Sequence, residues 1–358
     1  MKNRKSENYM SQTRKVVEAL MKHGPKYTAI SRETGVPITT VRYILKEKLP
    51  KLGFTVRPAI NYGKLGLQWY MVMLDSPLPP DYFVNLLDLF GETMYLNYYA
   101  FLLNERKFLT MFSIPPKFEN SFTAFLDGLL KFGIIKKYQF KKLYYRRVIP
   151  LRADCFDFNN GVWLQNWEEN PRIEEVPEIY EEPNQLNGLT LLDLKILVEF
   201  YKNPLNSYSD IARKLNITRQ TVRRHCENIL STVYLYMLFW MPIKYPELVC
   251  TPIFIQAKMD YHVRKTMLNI PFMHLEMKSE NLEYYAILFV PSLGFYKFLR
   301  YISEKGDMLR KIDFLSMEYA ANFVPPHNLF KDREGWLNVF DESLQKILRE
   351  IKLTSKSF

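Results

Sequence analysis

The feature that most constrains this chain is an internal repeat. Residues 27–42 read YTAISRETGVPITTVR and residues 208–223 read YSDIARKLNITRQTVR, at a constant offset of 181 positions. A second similarity pairs GVWLQNW at 161–167 with EGWLNVF at 334–340, at an offset of 173. A segment that recurs in this way within 358 residues predicts two copies of one fold, roughly residues 8–167 and 188–345.

Each copy opens with a pattern typical of three short helices. In the second copy the helix within LTLLDLKILVEFYKN is followed by SDIARKLN, a turn at Asn216-Ile217, and a third helix from Arg219 to Leu230. In the first copy the turn is Gly35-Val36, and the third helix covers Ile38 to Leu49. A Gly or Asn at the turn and an apolar residue early in the third helix suit two helices that cross steeply. The pattern predicts a helix-turn-helix in each copy.

The rest of each copy alternates strands and helices in the order βαββαβ. In the first copy we predict strands at 67–74, 93–103, 108–114 and 134–145, with helices at 80–90 and 118–132. In the second copy we predict strands at 252–259, 272–277, 283–290 and 309–317, with helices at 261–268 and 292–305. This order predicts a four-stranded antiparallel sheet with two helices on one face.

The stretch after the first helix-turn-helix suggests a family. A wing-like strand at 53–60 is followed by INYGKLGL at 60–67. With the helix-turn-helix, these residues resemble the Lrp/AsnC winged-helix regulators. The resemblance implies an α+β fold in which two winged helix-turn-helix domains alternate with two βαββαβ (ferredoxin-like, Lrp-type) domains. The hairpins LLNERKF (102–108) and MKSENLEY (277–284) lack the glycine of the family's amino-acid sensors, so a small-molecule effector is doubtful.

Charge and proline content complete the predicted domain boundaries. Residues 1–150 hold 24 Lys+Arg against 11 Asp+Glu, whereas residues 151–187 hold 2 against 9. Proline and like charges favour an extended segment, so the acidic stretch at 168–188 is predicted to be a linker. The predicted domains are 1–64 (winged helix-turn-helix), 65–167 (βαββαβ), 168–188 (linker), 189–250 (helix-turn-helix with a degenerate wing) and 251–345 (βαββαβ), with a C-terminal helix to 358.

A basic end segment and two helix-turn-helix motifs indicate a sequence-specific double-stranded DNA-binding transcriptional regulator, with its recognition helices in the major groove. With Val41, Leu45 and Leu49 inward, the outward residues of the first motif form the predicted contacts. The predicted DNA-binding residues are Thr39, Thr40, Arg42, Tyr43, Lys46, Lys51, Arg57, Arg219, Gln220, Arg223 and Arg224. Lys2, Arg4, Lys5, Lys26, Lys51 and Arg57 are predicted to bind phosphate.

Two other functions remain open at this stage. The βαββαβ sheets could bind RNA through Tyr95, Tyr98, Tyr99 and Phe101. Some relatives decarboxylate haem precursors, for which His262, His274 and Arg264 are the candidates. Because no polar pair recurs in both copies, and no Gly-rich phosphate loop or paired-carboxylate motif is present, we expect no enzyme and no cofactor.

Composition excludes several other classes. No apolar run reaches the roughly 18 residues of a membrane span, and no secretory signal opens the chain. Three cysteines and five scattered histidines give no disulfide framework and no metal site. We therefore expect a cytoplasmic protein with double-stranded DNA as partner. The two copies should act as a pseudo-dimer within one chain, and a further homodimer is left open.

Overall fold

The computed structural model describes residues 2–169, 171–172, 175–241, 250–304 and 309–354, with side chains from residue 12 to residue 348 of these ranges. The fold is mixed α+β, and the chain divides into two compact units. Unit 1 comprises Met1–Ile60, Tyr145–Ile179 and Glu199–Phe314. Unit 2 comprises Asn61–Tyr144, Tyr180–Val198 and Leu315–Phe358. Each unit takes segments from both copies of the repeat, and the domain boundaries given above remain predictions.

The N-terminal helices of unit 1 bury their apolar faces in the core of this unit. They are α1 (Lys2–His23), α2 (Tyr27–Thr34) and α3 (Ile38–Tyr43), which continues through a π-helical turn (Ile44–Lys48) into α4 (Leu49–Lys51). Apolar residues at helical spacing face inward and are fully buried, among them Val16, Leu20, Ile30, Val41 and Leu49. Strand β1 (Phe54–Ile60) follows.

Strand β1 finds its partner far along the chain. It pairs antiparallel with a strand of the second copy, from Phe54↔Trp240 to Ile60↔Val233. The indole N–H of Trp240 donates to the Leu52 carbonyl at 2.9 Å. This hydrogen bond joins the two-stranded ribbon to the residue that follows α4. The segment after Leu230 was predicted to be a degenerate wing, and its described part supplies this strand. Residues 242–249 of the same prediction lie outside the described residues.

Unit 1 also contains a four-stranded antiparallel sheet with two helices. Its elements in chain order are β5 (Lys137–Val148, from Tyr145 on), β6 (Phe156–Asp157), β7 (Val162–Trp163), α7 (Leu191–Lys202, from Glu199 on), α8 (Tyr208–Leu215), α9 (Arg219–Ile229), β8 (Val233–Trp240), β9 (Cys250–Lys258), α10 (Tyr261–Asn269), β10 (Met273–Ser279), β11 (Glu283–Pro291), α11 (Phe295–Ser303) and β12 (Leu309–Asn322, up to Phe314). The strand order is β10-β11-β9-β12, and α10 and α11 bury Val263, Met267 and Phe298 in the same core as Ile255 and Ala286.

Unit 2 contains a second antiparallel sheet. Its elements are β2 (Gln68–Asp75), α5 (Pro80–Thr93), β3 (Leu96–Leu102), β4 (Lys107–Ile114), α6 (Glu119–Lys131), the first part of β5, the first part of α7, the second part of β12, the short strands β13 (Phe330–Lys331) and β14 (Gly335–Trp336), and α12 (Phe340–Thr354). The strand order is β12-β3-β4-β2-β5. Aromatic rings fill the space between sheet and helices, for example Tyr70 and Phe112 against Phe122, and Phe90 against Phe125.

The segment predicted to be a linker is tied down at both ends. Within unit 1, the guanidinium of Arg172 donates to the Leu268 and Pro150 carbonyls, and Glu168 forms an ion pair of 3.1 Å with Arg300. Within unit 2, the buried carboxylate of Glu181 accepts hydrogen bonds from the Tyr62 amide and the Trp69 indole, at 3.0 and 2.9 Å. These contacts hold irregular backbone that carries few ladder hydrogen bonds of its own.

Candidate nucleic-acid interface

Helices α1–α3 are called the first triplet, and helices α7–α9 the second. The helices of the second triplet are well capped. The Ser207 hydroxyl and the Asp210 carboxylate form a capping box at the start of α8, and Asn216 ends this helix in the left-handed conformation at φ 54°. Two residues later the Thr218 hydroxyl accepts the Thr221 N–H at 3.1 Å and caps α9. Such caps satisfy the amide groups that a short helix leaves unpaired. They fix the turn between the two helices.

Helix α9 buries one face and exposes the other. Val222, Cys226 and Ile229 face the core of unit 1 and are at most 3% exposed. On the opposite face the four predicted contact residues, Arg219, Gln220, Arg223 and Arg224, are all exposed. Three turns of helix therefore present three guanidinium groups and one amide to solvent.

These exposed side chains are largely free to accept a partner. The Arg223 guanidinium lies 3.8 Å from the Glu227 carboxylate, an exposed i,i+4 pair of little energetic weight. Arg219, Gln220 and Arg224 have no hydrogen bond or ion pair with any other residue that the structure describes. An open depression on this face is lined by Thr218, Gln220, Thr221, Arg223, Arg224 and Glu227. Arginine and glutamine are the side chains that read guanine and adenine edges in the major groove.

The first triplet has the same plan with one irregularity. Gly35 ends α2 at φ 69°, and α3 begins after Pro37. From Ile44 the helix widens into a π turn, in which the Leu49 N–H donates to the Ile44 carbonyl five residues back. Pro50 has no N–H to donate, so the regular i→i−4 pattern cannot continue there. The widened turn lies in the second half of the predicted recognition helix.

Most predicted contact residues of this helix are exposed. Thr39, Arg42, Tyr43 and Lys46 face solvent, and Thr40 is half-buried. The guanidinium of Arg42 lies over the Tyr27 ring, 5.5 Å from its centroid. This stacking pre-orients Arg42 next to helix α2.

The charge of Lys46 reaches a carboxylate of the second triplet. Hydrogen bonds from Ser207 lower the pKa of Asp210 most, and the positive charges of Arg213 and Lys46 lower it further. The end of the first recognition segment is therefore close to helix α8. Helix α8 and the first triplet both belong to unit 1.

The predicted phosphate-binding residues have different surroundings. Lys51 is 73% exposed and 3.8 Å from Glu47, and Lys26 is exposed. Arg57 is half-buried, with its guanidinium over the Tyr201 ring at 5.3 Å. The side chains of Lys2, Arg4 and Lys5 lie outside the described part of the chain.

The aromatic residues considered for RNA binding are packed inside unit 2. Tyr95, Tyr99 and Phe101 are at most 8% exposed, and Tyr98 is half-buried. Tyr95 packs on Trp336 and Phe340 and donates its hydroxyl proton to the Leu337 carbonyl. Buried rings cannot stack on unpaired bases, so this structure does not favour that alternative.

The residues considered for decarboxylation have three different surroundings within unit 1. His262 is exposed on α10. His274 packs between Phe239 and Phe289, and burial, followed by the charge of Arg146, lowers its pKa to about 4. It lines a cavity of about 30 Å³, room for about one water molecule. Arg264 forms a close pair with the buried Glu276.

Sequence reasoning missed several residues of the interface. Tyr27 and Tyr201, on which the two arginines stack, are ordinary helix residues in the sequence, because an apolar ring at helical spacing predicts core packing. The hydroxyl of Thr221, which the repeat aligns with Thr40, also lies 2.9 Å from the Thr218 hydroxyl. Metal-ligand spacing gave no site in the sequence, and no cluster of His, Cys, Asp or Glu suited to a metal occurs among the described residues.

Comparison with known proteins supports the DNA-binding character of the second triplet. A family model described as "Winged helix-turn-helix DNA-binding" matches residues 189–228. No curated protein matches the chain. The class defined by fold and site is thus a mixed α+β protein with a winged helix-turn-helix DNA-binding region. In the described part of the chain no helix is both long and apolar enough to span a bilayer.

Two solved structures share the fold along almost the whole chain. The crystal structure of the siroheme decarboxylase NirDL superposes with a TM-score of 0.52 at 9% identity, covering 95% of this chain and 99% of that one. The same enzyme in complex with an iron-uroporphyrin III analogue gives a TM-score of 0.50 at 10% identity, covering 93% and 98%. The superposition shows that the fold is shared. At 9–10% sequence identity it does not show that the chemistry is shared.

This likeness corrects one expectation. The sequence led us to expect no enzyme, because no catalytic motif was found. That expectation is contradicted, since the fold of 95% of the chain is one that a decarboxylase uses. Chemistry on a large substrate can be carried by residues scattered through a fold, and short sequence motifs do not reveal such residues.

Proposed function

We propose that the chain is a sequence-specific double-stranded DNA-binding transcriptional regulator that reads the major groove with helix α9. The observation that carries this proposal is the exposed face of α9, which presents Arg219, Gln220, Arg223 and Arg224 from a capped helix of a matched winged helix-turn-helix. Guanidinium and amide groups at adjacent turns suit guanine and adenine edges. The excess of basic residues in the first 150 adds a sequence-independent attraction to phosphate.

The first triplet is proposed as a second DNA-binding motif, with a different sequence preference. It would contact DNA through Thr39, Thr40, Arg42, Tyr43 and Lys46, with Lys51 and Arg57 beside the backbone. The antiparallel ribbon of β1 and β8 supports this arrangement, because it gives each triplet one strand of a shared sheet. We propose a tandem Lrp/AsnC-like chain with two helix-turn-helix and two βαββαβ parts. Its half-sites would differ in sequence and lie about 34–36 Å apart or a multiple of that.

Selection of bound fragments from random duplex DNA tests the proposal. Wild type should enrich a bipartite motif, and Arg223→Ala or Arg42→Ala should each cost about 1–3 kcal/mol of binding to that motif. Lys131→Ala, which removes an exposed positive charge from α6 in unit 2, is the control and should bind as wild type. Enrichment of no motif, or specific binding unchanged in both arginine variants, would refute groove reading. Solution mass with footprint length separates a single-chain binder from a homodimer.

Decarboxylation of a haem precursor is a second candidate, because the fold is shared with siroheme decarboxylase NirDL over nearly the whole chain. Arg264, whose side chain is 15% exposed, is a cation of unit 1 that a substrate carboxylate could approach. His274 holds a proton only in acid and lines a cavity too small for a tetrapyrrole, so it would not be the substrate-facing group.

Siroheme itself is the probe for this second candidate. Anaerobic titration should shift the visible absorption bands of siroheme if it binds. Mass spectrometry after incubation should then show loss of one carbon dioxide, 44 mass units, for each decarboxylated side chain. Arg264→Met should weaken binding, while Lys265→Ala, which removes an exposed cation from the same helix, serves as control. Unchanged absorption at saturating siroheme would remove this candidate and leave the DNA-binding proposal untouched.

A further inference from the structure

A second charged site lies inside unit 1, away from the helix-turn-helix face. Arg147, near the end of β5, is 6% exposed. Two of its guanidinium nitrogens, Nε and Nη1, are buried and have no hydrogen-bond partner among the described residues. No acidic residue that the structure describes forms an ion pair with it. A buried guanidinium without an acceptor is rare, because desolvation of such a charge costs several kcal/mol.

Arg147 lies next to a compact polar cluster. The Ile149 N–H donates to the His274 carbonyl at 2.9 Å, so the end of β5 runs beside β10. Tyr145, two residues before Arg147, leaves the same face of β5. Burial and then Glu276 raise the pKa of Tyr145, and the charges of Arg264 and Arg147 oppose that shift. Arg147 and Tyr145 are therefore neighbours on one face of β5.

The other cations of this cluster are each matched by a carboxylate. Glu276, fully buried, accepts from the Arg264 guanidinium at 2.7 and 3.1 Å and from the hydroxyls of Tyr145 and Tyr284. Lys278, 3% exposed, pairs with Glu178 of the acidic segment. Three cations thus share two carboxylates, and Arg147 is the cation left over.

We propose that Arg147 is the anchor of a binding site for a small organic carboxylate. The unpaired guanidinium supplies buried N–H donors and an uncompensated positive charge, which a carboxylate would neutralise with charge-assisted hydrogen bonds. Glu178 already shows the chemistry that this cluster accepts, since its carboxylate lies on Lys278 and 3.5 Å from Arg264. Glu178 is the most exposed of the charged members, with 28% of its side chain accessible to solvent.

This site is independent of the proposed DNA binding. Arg147 lies in β5, and the cluster involves β10, β11, α10 and the acidic segment, so none of its residues belongs to the reading helices. A ligand there would act on unit 1, which also contains the first triplet and helices α8 and α9. Its test therefore needs no DNA and no enzymatic assay.

Thermal unfolding of the full chain in a panel of sodium salts tests the proposal. Acetate, succinate and citrate are compared with chloride, sulfate and phosphate at one ionic strength and pH. At least one carboxylate should raise the wild-type melting temperature by several degrees in a saturable manner, because a ligand of the native state stabilises by mass action. Isothermal titration with that carboxylate should show one site per chain.

Two variants identify the residue. Arg147→Met should abolish the carboxylate-dependent rise, and in chloride it should melt at or above wild type, because an apolar side chain of similar length removes an unpaired buried charge. Arg146→Met, on the opposite face of the same strand, should keep the response. Arg147→Lys retains the charge and should respond with weaker affinity.

Three outcomes would overturn the assignment. The first is a wild-type melting temperature that no carboxylate changes. The second is an equal rise with sulfate or phosphate, which would mark a general anion effect. The third is an undiminished carboxylate response in Arg147→Met, which would locate the site elsewhere. Should Arg147→Met fail to fold, the affinity of Arg147→Lys decides, since unchanged binding would contradict the proposal.

Discussion

The guanidinium of Arg57 lies over the ring of Tyr201, 5.3 Å from its centroid. Arg57 belongs to β1, which follows the first triplet, and Tyr201 belongs to α7, the first helix of the second triplet. A charge that the sequence assigned to DNA phosphate thus also joins the two helical triplets. Experiments should therefore distinguish basic residues that stabilise the fold from basic residues that bind only DNA phosphate.

Arg57 and Lys51 are expected to differ in a measurable way. Arg57→Ala should lower the free energy of unfolding by about 0.5–1 kcal/mol through loss of the cation–π contact, and a double-mutant cycle with Tyr201→Leu should return that coupling. Lys51→Ala should leave stability unchanged and flatten the log–log salt dependence of duplex binding by about 0.9. A coupling of zero in the cycle would show that the stacking contributes nothing in solution.

Acid should destabilise unit 1 through His274. The folded pKa is about 4, below the ordinary value of 6.5, because burial and the Arg146 charge disfavour the imidazolium. The unfolded chain therefore binds the proton more readily, so this contribution is complete above pH 6.5 and is lost as pH falls towards 4. It amounts to about 3 kcal/mol.

The His274→Phe variant isolates this effect. Chemical denaturation between pH 7 and 4 should show a smaller loss of stability in the variant than in wild type. The carboxylates of the chain also titrate in this range, but they affect both proteins alike. If the unfolding free energies of the two proteins fell in parallel with pH, the pKa of His274 would not be lowered in the folded state.

The N-terminal cap of α9 should contribute to the stability of the proposed recognition helix. Thr218→Ala removes the acceptor of the Thr221 N–H and should cost about 1 kcal/mol. Thr218→Ser retains the acceptor oxygen and should cost much less. Urea unfolding followed by circular dichroism measures both variants, and equal losses for Ala and Ser would show that the methyl group rather than the hydrogen bond matters.

Gly63 provides a test based on sign. It lies in a 3₁₀ turn of unit 2 with an ordinary φ, where a Gly→Ala change normally stabilises by about 0.4–1 kcal/mol. A Cβ there would overlap the backbone of Glu181 and Glu182, which cannot move like a side chain. Gly63→Ala should therefore destabilise by about 1–3 kcal/mol.

The control for this change is Gly133→Ala, where nothing lies within 4 Å of the added Cβ and only the φ of 69° opposes alanine. A melting temperature of Gly63→Ala above that of wild type would show that the 180–186 segment does not pack on this turn in solution.

Much of the secondary structure could be read from the sequence. Periodicity placed α5, α6, α10 and α11 within a few residues of their observed bounds, because each helix buries one apolar stripe. The strands of both sheets were also found, since their runs of Val, Ile, Leu and aromatic residues are bounded by turn residues. The arrangement of the two copies as two helix-turn-helix and two βαββαβ parts stays a prediction.

Other features depend on contacts that no local pattern contains. The partner of β1 lies some 180 residues away, and the sequence could not choose β8 over a local wing partner. The π turn in the first recognition helix arises from Pro50, which the helical pattern of Val41, Leu45 and Leu49 passed over. Arg147 and Lys278 look like surface residues of strands, and only burial shows that they share an interior cluster.

The pairing of β1 with β8 also sets a time order for making the protein. Residues 54–60 leave the ribosome well before residues 233–240, and at 5–20 residues per second the delay is on the order of 10–40 s. During that interval the nascent chain carries a strand whose hydrogen-bonding edge has no partner, a form prone to pairing with other chains. Strand β1 therefore gains its partner only after two thirds of the chain has been synthesised.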